Sequence, residues 1–286
     1  MPFLQNSINA LGVPRWPVSI RHPLVKVLVK RKKINSLHYR TKVDGLWCDE
    51  DAANIIDYHV LTRGAFEPGL TQLLKDWSIY HDRNLLLDIG ANSGLHSIGL
   101  SDSYELIHAF EPYPPMILRL KNSIEINHIK NVIIHELGLS DTNGLVQFQE
   151  PDPGNTGTGR IVIKTTSTNE KTIEITSAIG DEILANEPRA ISAVKIDVEG
   201  LELSALRGLR NRLKEDRPLV AVEILTASKQ SHDQIKAVLP DGYIYYTIER
   251  IKKKKYFLQE WTGDAGDILA LPKEHSGFVQ DKIHTA

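Results

Sequence analysis

The sequence is poor in cysteine, with one residue, Cys48, in a chain of 286. A single thiol cannot form an internal disulfide, and it cannot supply the paired cysteines of a zinc or iron–sulfur site. Neither sign of charge is in excess, since 34 lysines and arginines face 36 aspartates and glutamates. The net charge of −2 gives no overall field that favours nucleic acid or an anionic membrane. We therefore expect a reducing compartment and no nucleic-acid partner.

Long hydrophobic runs are missing as well. Every apolar stretch is interrupted well before the roughly 18 residues that a membrane-spanning helix needs. The N-terminal region contains Pro2, Pro14 and Pro17 and lacks the basic segment followed by an apolar run that is typical of a secretory signal peptide. The sequence thus predicts a cytoplasmic protein without a membrane span.

Apolar patterning predicts an α/β fold. From Leu85 onward, short apolar runs alternate with helical patterns, which is typical of βαβ units and a mostly parallel sheet. The predicted strands cover residues 85–89, 106–110, 132–137, 145–148, 173–175, 193–196 and 219–224. Two further runs, residues 243–248 and 268–271, are predicted to pair as an antiparallel hairpin at the end of the sheet.

The chain length suits one α/β domain with a small appendage. We assign residues 81–286 to the domain and residues 1–80 to an N-terminal extension. Within this extension, the pattern predicts a strand at residues 37–43 and a helix at residues 51–61.

A glycine turn follows the first strand of the predicted domain. Gly90 and Gly94 are four residues apart, and Asp88 lies just before them. Glycine permits positive φ and a close approach of backbone N–H groups to a ligand, and the next helix adds partial positive charge. A dinucleotide site has the spacing G-x-G-x-x-G instead, and a carboxylate at Asp88 would repel pyrophosphate. The turn therefore favours a cationic ligand such as the sulfonium of S-adenosylmethionine (SAM) over NAD.

A second acid supports a nucleoside ligand. Glu111 ends the second predicted strand, 23 residues after Asp88. A carboxylate at that point of an α/β sheet accepts hydrogen bonds from both ribose hydroxyls and disfavours a 2′-phosphate. NADP is therefore not expected.

Four sequence blocks resemble the FkbM-type family of class I SAM-dependent methyltransferases. They are Asp-Ile-Gly-Ala-Asn-Ser-Gly at residues 88–94, Ala-Phe-Glu-Pro at 109–112, Gly-Leu-Ser-Asp at 138–141 and Lys-Ile-Asp-Val-Glu-Gly at 195–200. A looser match is Gly-Ala-Phe-Glu-Pro at residues 64–68. The similarity spans roughly residues 64–224, and the block at 195–200 is its most specific part.

The resemblance implies a Rossmann-like, seven-stranded sheet with helices on both faces, SAM as the cofactor, and O-methylation. The acceptor would be a hydroxyl of a sugar, glycan or other small natural product. The matching motifs imply a role in SAM binding for three groups of residues: Asp88, Gly90, Asn92 and Gly94 at the methionine half, Glu111 at the ribose, and Ser140 and Asp141 at the adenine.

The block at residues 195–200 carries the candidate catalytic groups. Methyl transfer to a hydroxyl needs an aligned acceptor oxygen and a base for its proton. Asp197 and Glu199 are two positions apart, so in an extended segment they would face the same side and could share a proton. One alternative is Mg²⁺ bound by these carboxylates with Glu223 as a third ligand, which we do not favour. Another is a structural role, with Glu199 at a helix N-terminus and Lys195 in a salt bridge.

Other residues are weaker candidates. His96 could contact SAM or accept a proton, Glu67 could close one side of the pocket, and the glycine-rich loop at residues 153–159 could cover the substrate. Two alternatives to a methyltransferase remain open: an NAD-dependent oxidoreductase, and a SAM-binding module without catalytic activity.

Overall fold

The computed structural model describes residues 38–43, 45–51, 54–63, 65–82, 84–152, 154–162, 171–224, 232–251 and 255–283. Residues 1–37 of the predicted extension lie outside the described residues. So do Gly64 and Pro153, which belong to segments singled out above.

The described strands, in chain order, are β1 His38–Val43, β2 Leu46–Asp51, β3 Leu85–Ile89, β4 Leu106–Phe110, β5 Val132–His135, β6 Gly138–Ser140, β7 Gly144–Gln149, β8 Arg160–Val162, β9 Thr172–Ile179, β10 Ile191–Ile196, β11 Leu219–Ile224, β12 Tyr243–Ile251, β13 Lys255–Glu260 and β14 Gly266–Pro272.

The described helices are α1 Ile55–Arg63, α2 Pro68–Tyr80, α3 Leu95–Gly99, α4 Pro114–Ile126, α5 Gly180–Ile183, α6 Glu202–Gly208, α7 Arg210–Asp216 and α8 His232–Val238. Two 3₁₀ segments, Thr156–Thr158 and Lys273–Val279, complete the described elements.

The main sheet has eight strands in the order β13-β12-β14-β11-β10-β3-β4-β5 among the described residues. The five strands from β11 to β5 are parallel to one another. The three strands β14, β12 and β13 are antiparallel to their neighbours. The prediction of a mixed α/β fold with a mostly parallel sheet is confirmed.

Helices cover both faces of this sheet, as predicted. Successive strand residues point to opposite faces, so strands covered on both sides consist of nearly continuous apolar residues. One face packs against α6, α7 and α8 through Leu87, Val194, Val220, Leu206, Leu213 and Ile235. The other face packs against α2 and the last 3₁₀ segment through Leu86, Ala193, Leu219, Leu73, Trp77 and Phe278.

The C-terminal part of the sheet differs from the prediction in one respect. The predicted hairpin strands do pair, as β12 with β14. An additional strand, β13, lies between them in sequence and pairs with the other edge of β12, so the sheet has eight strands rather than seven. β13 was not predicted from the sequence, because the basic run at residues 252–255 directly precedes its apolar residues.

A smaller four-stranded sheet, in the order β6-β9-β7-β8, follows β5 in the chain. The β structure predicted at residues 145–148 and 173–175 belongs to this sheet, as β7 and β9. Leu139, Phe148 and Ile161, one residue from each of three of its strands, line the cleft described below.

The described part of the extension packs against α4. Its strands β1 and β2 form an antiparallel hairpin, and the Asn127 side chain bonds both the N–H and the C=O of Trp47 at 2.7 Å. Arg119 of α4 forms ion pairs with the buried carboxylates of Glu50 and Asp57. The predicted helix is present as α1, displaced to Ile55–Arg63.

The core reaches further toward the N-terminus than the predicted domain boundary at residue 80. Leu73, Leu74 and Trp77 of α2 are fully buried against the main sheet. Among the described residues, none of the helices combines the length and the hydropathy that a membrane crossing needs.

Candidate active site

A cleft opens at the carboxyl ends of β3, β4 and β10. It holds about 920 Å³ of space, with open solvent at its mouth included. In the sheet order, β3 has β4 on one side and β10 on the other. Ligands of open α/β sheets bind at such a point, where the strand order reverses.

The glycine turn after β3 forms the floor of the cleft. Gly90 has φ of 77°, and a Cβ atom on it would lie 1.8 Å from the carbonyl oxygen of Asp197. Gly94 has φ of 86°, and its Cβ would lie 2.2 Å from a methyl carbon of Leu120 in α4. Gly90 lines the cleft, whereas Gly94 packs against α4 beneath it. The predicted contact of Gly94 with the cofactor is therefore corrected to a packing role.

Asp88 also lies below the cleft and does not line it. Its carboxylate is fully buried, accepts a hydrogen bond from Ser97 Oγ at 2.6 Å and lies 3.3 Å from Lys195 Nζ. Burial acts to raise the pKa of Asp88, but Lys195, His96 and the Ser97 hydroxyl together lower it. The prediction that this carboxylate faces a sulfonium is wrong, since Lys195 neutralises its charge inside the sheet.

Lys195 is a site residue that the sequence analysis treated only as a salt-bridge partner. Its Nζ donates to the Gly90 carbonyl at 2.8 Å and lies 3.9 Å from Asp197. Burial alone would lower the pKa of Lys195, but Asp88, Asp197 and Glu67 raise it above its usual value. The sequence feature that could have identified Lys195 as a site residue is its charge, since the other residues of β10 are apolar except Ser192.

Glu111 occupies the predicted place at the end of β4 and lines the cleft. Its two carboxylate oxygens accept hydrogen bonds from the backbone N–H groups of Asn92 and Tyr113, each at 2.8 Å. Burial raises the pKa of Glu111 to about 7, and the two N–H donors limit that rise. The carboxylate is thus held in place by backbone groups from both sides of the cleft, where a ribose could reach it.

Asn92 connects the glycine turn to a loop that covers the cleft. It has φ of 52°, and its side-chain Nδ2 donates to the Thr156 carbonyl at 3.1 Å. Thr156 Oγ1 in turn accepts a hydrogen bond from Asn54 Nδ2 at 2.6 Å, and the Gly154 carbonyl accepts from the Ile55 N–H at 2.8 Å. The 154–159 loop and the start of α1 therefore form one hydrogen-bonded cover, defined here as the lid.

An aromatic wall borders the cleft beyond Glu111. The Tyr113 and Phe148 rings stack with centroids 5.6 Å apart, and Leu139 and Ile161 extend this apolar surface. Such a wall suits a planar base, because aromatic and apolar side chains bury its faces. The aromatic wall could not be predicted from the sequence, because its two rings come from separate elements, 35 positions apart.

Ser140 and Asp141, the residues expected at the adenine, do not line this cleft. Asp141 lies 3.8 Å from Arg207 and accepts a hydrogen bond from Ser140 Oγ. The Ser140 backbone packs closely against Gly208, where a Cβ would lie 1.9 Å from the Ser140 carbonyl oxygen. Both residues thus contact α6, at Arg207 and Gly208, and their contact with an adenine stays a prediction.

Asp197 and Glu199 both line the cleft, but not as an extended pair. The Asp197 N–H bonds the Ile89 carbonyl at 3.0 Å, and the strand ends there. Glu199 then adopts φ of 54° and Gly200 φ of 108°, so the chain turns. Burial and the negative charges of Asp197 and Glu202 raise the pKa of Glu199 to about 7. The chain is therefore not extended between the two carboxylates, and the proton that they were expected to share stays a prediction.

Asp197 lies beside Glu223, the penultimate residue of the neighbouring strand β11. Burial, followed by the charges of Asp197, Asp267 and Glu67, raises the pKa of Glu223 to about 8. These groups surround a second, smaller cavity of about 230 Å³, open solvent included, and Lys195 and Asp197 border both cavities. Within the described ranges, no group of three histidine, cysteine or acidic residues is placed to hold a metal ion.

His96 lines the cleft, and Glu67 borders the second cavity. Nε2 of His96 lies 3.2 Å from a Glu67 carboxylate oxygen, and Nδ1 lies 3.3 Å from Thr71 Oγ1. Both ring nitrogens are thereby engaged inside the protein. The geometry favours a structural histidine that fixes Glu67 over a histidine that accepts a proton in the cleft.

The sheet order and the cleft at its switch point define a Rossmann-like α/β protein with a cleft where sheets of this kind bind ligands. Residues 88–256, more than half of the chain, match the family described as the Methyltransferase FkbM domain. The chain therefore belongs to this family, and the resemblance deduced from its motifs is confirmed.

Two proteins of similar sequence are named as methyltransferases. The chain is 32% identical over 142 residues to the hexuronic acid methyltransferase AglP of Haloferax volcanii, a match that covers 49% of this chain and 56% of that protein. It is 24% identical over 197 residues to Methyltransferase 1 of Beauveria bassiana, covering 61% and 78% respectively. The chain thus spans little more than half the length of the Haloferax protein.

Among solved structures, the chain is similar to a methyltransferase FkbM from Methylobacillus flagellatus. The sequence identity is 17% and the TM-score 0.47, and the match covers 75% of this chain and 52% of that one.

Proposed function

We propose that this protein is a SAM-dependent O-methyltransferase that acts on a hydroxyl of a sugar or glycan. The observation that carries the proposal is Glu111, whose carboxylate is fixed by two backbone N–H groups at the wall of the cleft. Family membership favours methyl transfer over the NAD-dependent alternative.

The residues of the cleft fit the cofactor in chemistry. Glu111 would accept hydrogen bonds from the ribose hydroxyls, and the rings of Tyr113 and Phe148 would bury the adenine. The floor at Gly90 and Asn92 would hold the methionine half, as the motif implies. When bound, SAM supplies an electrophilic methyl group on a positively charged sulfur. The carboxylates of Asp197 and Glu199 would stabilise that charge from across the cleft.

The protein's own part in the reaction is to orient a hydroxyl and to remove its proton. Asp197 lies at the carboxyl end of β10, borders both cavities and serves as the base. Glu199 faces the same cleft and would accept hydrogen bonds from neighbouring hydroxyls of the acceptor. The lid over Asn92 would exclude water while the methyl group is exposed.

A sugar acceptor is supported by the Haloferax relative, whose name specifies hexuronic acid. Arg160 on β8 also lines the cleft, and its positive charge is near enough to Glu199 to oppose the rise of that group's pKa. Its guanidinium would suit the carboxylate of an acidic sugar. The acidic groups around Asp197 disfavour a polyanionic acceptor such as RNA.

The test is transfer from methyl-labelled SAM to a panel of acceptors: a hexuronic acid, the matching neutral hexose, a simple amine and an RNA oligonucleotide. The proposal predicts a labelled methyl ether on a sugar and equal rates with and without a chelator. It also predicts that Asp197→Asn abolishes release of S-adenosylhomocysteine while SAM still binds. Label on the amine or RNA, or binding of NAD without binding of SAM, would overturn it.

A further inference from the structure

The ends of β10 and β11 place two carboxyl groups side by side. The strands are parallel, and Ile196 is the register partner of Val222, so Asp197 and Glu223 are the next residues on their respective chains. Their side chains border the same cavity, within hydrogen-bonding reach of each other. Asp197 borders both the cleft and the second cavity, whereas Glu223 borders only the second cavity. Glu223 therefore approaches the proposed base, Asp197, from the side of the second cavity, away from the cleft.

Two carboxyl groups can form a hydrogen bond only if one of them carries a proton. The groups around the pair decide which one does. Asp197 has a cation beside it, the Lys195 ammonium 3.9 Å away. Glu223 faces the negative charges of Asp267, its register partner on β14, and of Glu67 before α2. The proton therefore belongs to Glu223.

We propose that Glu223 is a positioning residue whose protonated carboxyl donates a hydrogen bond to Asp197 and holds that carboxylate toward the acceptor. This inference rests on the proposed function, because it assumes that Asp197 is the base. Glu223 does not touch the acceptor or the cofactor. It fixes the rotamer of Asp197 and keeps its charge on the cleft side.

Loss of the proton reverses this arrangement. When Glu223 ionises, two carboxylates face each other with Glu67 and Asp267 nearby, and their repulsion separates them. Asp197 then loses its orientation, so transfer falls at alkaline pH. Burial and the surrounding acids raise the pKa of Glu223 to about 8. We therefore expect the rate of methyl transfer to fall above about that pH.

Two variants separate positioning from packing. Glu223→Gln retains a donor, since its amide N–H can bond Asp197, but it cannot ionise. Glu223→Val places in β11 a β-branched side chain that suits a strand, and it removes the donor. The matched control is Glu260→Gln, an exposed glutamate on β13.

The kinetic readout is the pH profile of kcat and KM for the sugar that accepts methyl in the panel above. We expect the wild type and Glu260→Gln to lose activity above about pH 8, following the raised pKa of Glu223. Glu223→Gln should stay flat there, and Glu223→Val should lose at least about tenfold in kcat with the SAM dissociation constant within about twofold of wild type. An unchanged kcat in Glu223→Val, or a wild-type alkaline fall in Glu223→Gln, would overturn the proposal.

A second measurement needs no acceptor. In protein carrying ¹³C-labelled glutamate carboxyls, one resonance should titrate near the pKa of about 8 given for Glu223 and should be absent from Glu223→Gln. If that resonance is present but the wild type transfers no methyl group to any sugar, the proposed function fails while the pair stands. If no carboxyl titrates in that range, the pair itself is disproved, whatever the enzyme does.

Discussion

Nζ of Lys195 lies 3.3 Å from a carboxylate oxygen of Asp88, and both side chains are almost fully buried. The two residues are register partners on β10 and β3. The carboxylate expected to attract the cofactor's sulfur is thus paired inside the sheet, and the ammonium reaches up to the Gly90 carbonyl. Asp88 shapes the cleft indirectly, by holding the lysine that fixes the glycine turn.

Removal of the lysine alone should be strongly destabilising. Lys195→Met leaves the Asp88 carboxylate buried without its cation, which typically costs about 3–5 kcal/mol. Urea denaturation should show this loss, with the exposed Lys130→Met near wild type. Asp88→Asn together with Lys195→Met should recover a large part of the loss, and a double variant no more stable than Lys195→Met alone would refute the pairing.

The glycine turn should tolerate no side chain at Gly90. An alanine there places a Cβ 1.8 Å from the Asp197 carbonyl oxygen, in addition to the strain of a φ of 77°. We expect Gly90→Ala to lose about 3 kcal/mol or more and to bind SAM weakly. Gly200→Ala is the matched control, because its φ is 108° but no atom lies within 4 Å of the added carbon. Its loss should stay near 1–2 kcal/mol, and equal losses would contradict the contact.

Cofactor affinity should depend on pH through Glu111. Its pKa is raised to about 7 by burial, so the group is protonated below pH 7 and ionised above it. The ionised form has both oxygens free of protons for N–H and O–H donors, so affinity should rise from pH 6 to pH 8, by roughly tenfold. Calorimetric titrations should give a flat profile for Glu111→Gln. Since burial also raises the pKa of Glu199 to about 7, Glu199→Gln is the control. With S-adenosylhomocysteine as the ligand, whose sulfur carries no positive charge for Glu199 to stabilise, it should keep the wild-type slope.

The lid should slow cofactor release. Thr156→Val removes the acceptor for Asn54 Nδ2 and weakens the tie between the loop and α1. The dissociation rate of S-adenosylhomocysteine, measured by surface plasmon resonance, should rise several-fold. Thr158→Val serves as the control, because the Thr158 hydroxyl bonds only Asp152 and Asn155 within the loop. Equal rates in the two variants would show that the lid does not gate release.

The parallel sheet and part of the site could be predicted because their signals are local in sequence. The apolar run at Leu85–Ile89, the glycines that follow it and the acid at Glu111 each depend on a few adjacent residues. Their positions at the carboxyl ends of neighbouring strands follow from general rules of α/β sheets.

The missed features depend on contacts between distant residues. The stack of Tyr113 on Phe148 requires the smaller sheet to fold against the main one. The pairing of Asp197 with Glu223 requires the register of β10 and β11, which no local pattern specifies. The prediction for Asp197 and Glu199 assumed an extended chain, and the positive φ of Glu199 was not visible in the sequence.

The central claim is that Glu111 holds the ribose of SAM in the cleft, and calorimetric titration of S-adenosylhomocysteine into wild type and Glu111→Ala tests it most directly. The account predicts one site per chain in the wild type, weakened by about 10- to 100-fold in Glu111→Ala, since hydrogen bonds to a charged group are each worth about 1.5–3 kcal/mol. Glu125→Ala, an exposed glutamate on α4, should bind as the wild type does. Equal affinity in Glu111→Ala and wild type, or no binding to the wild type at all, would contradict the account.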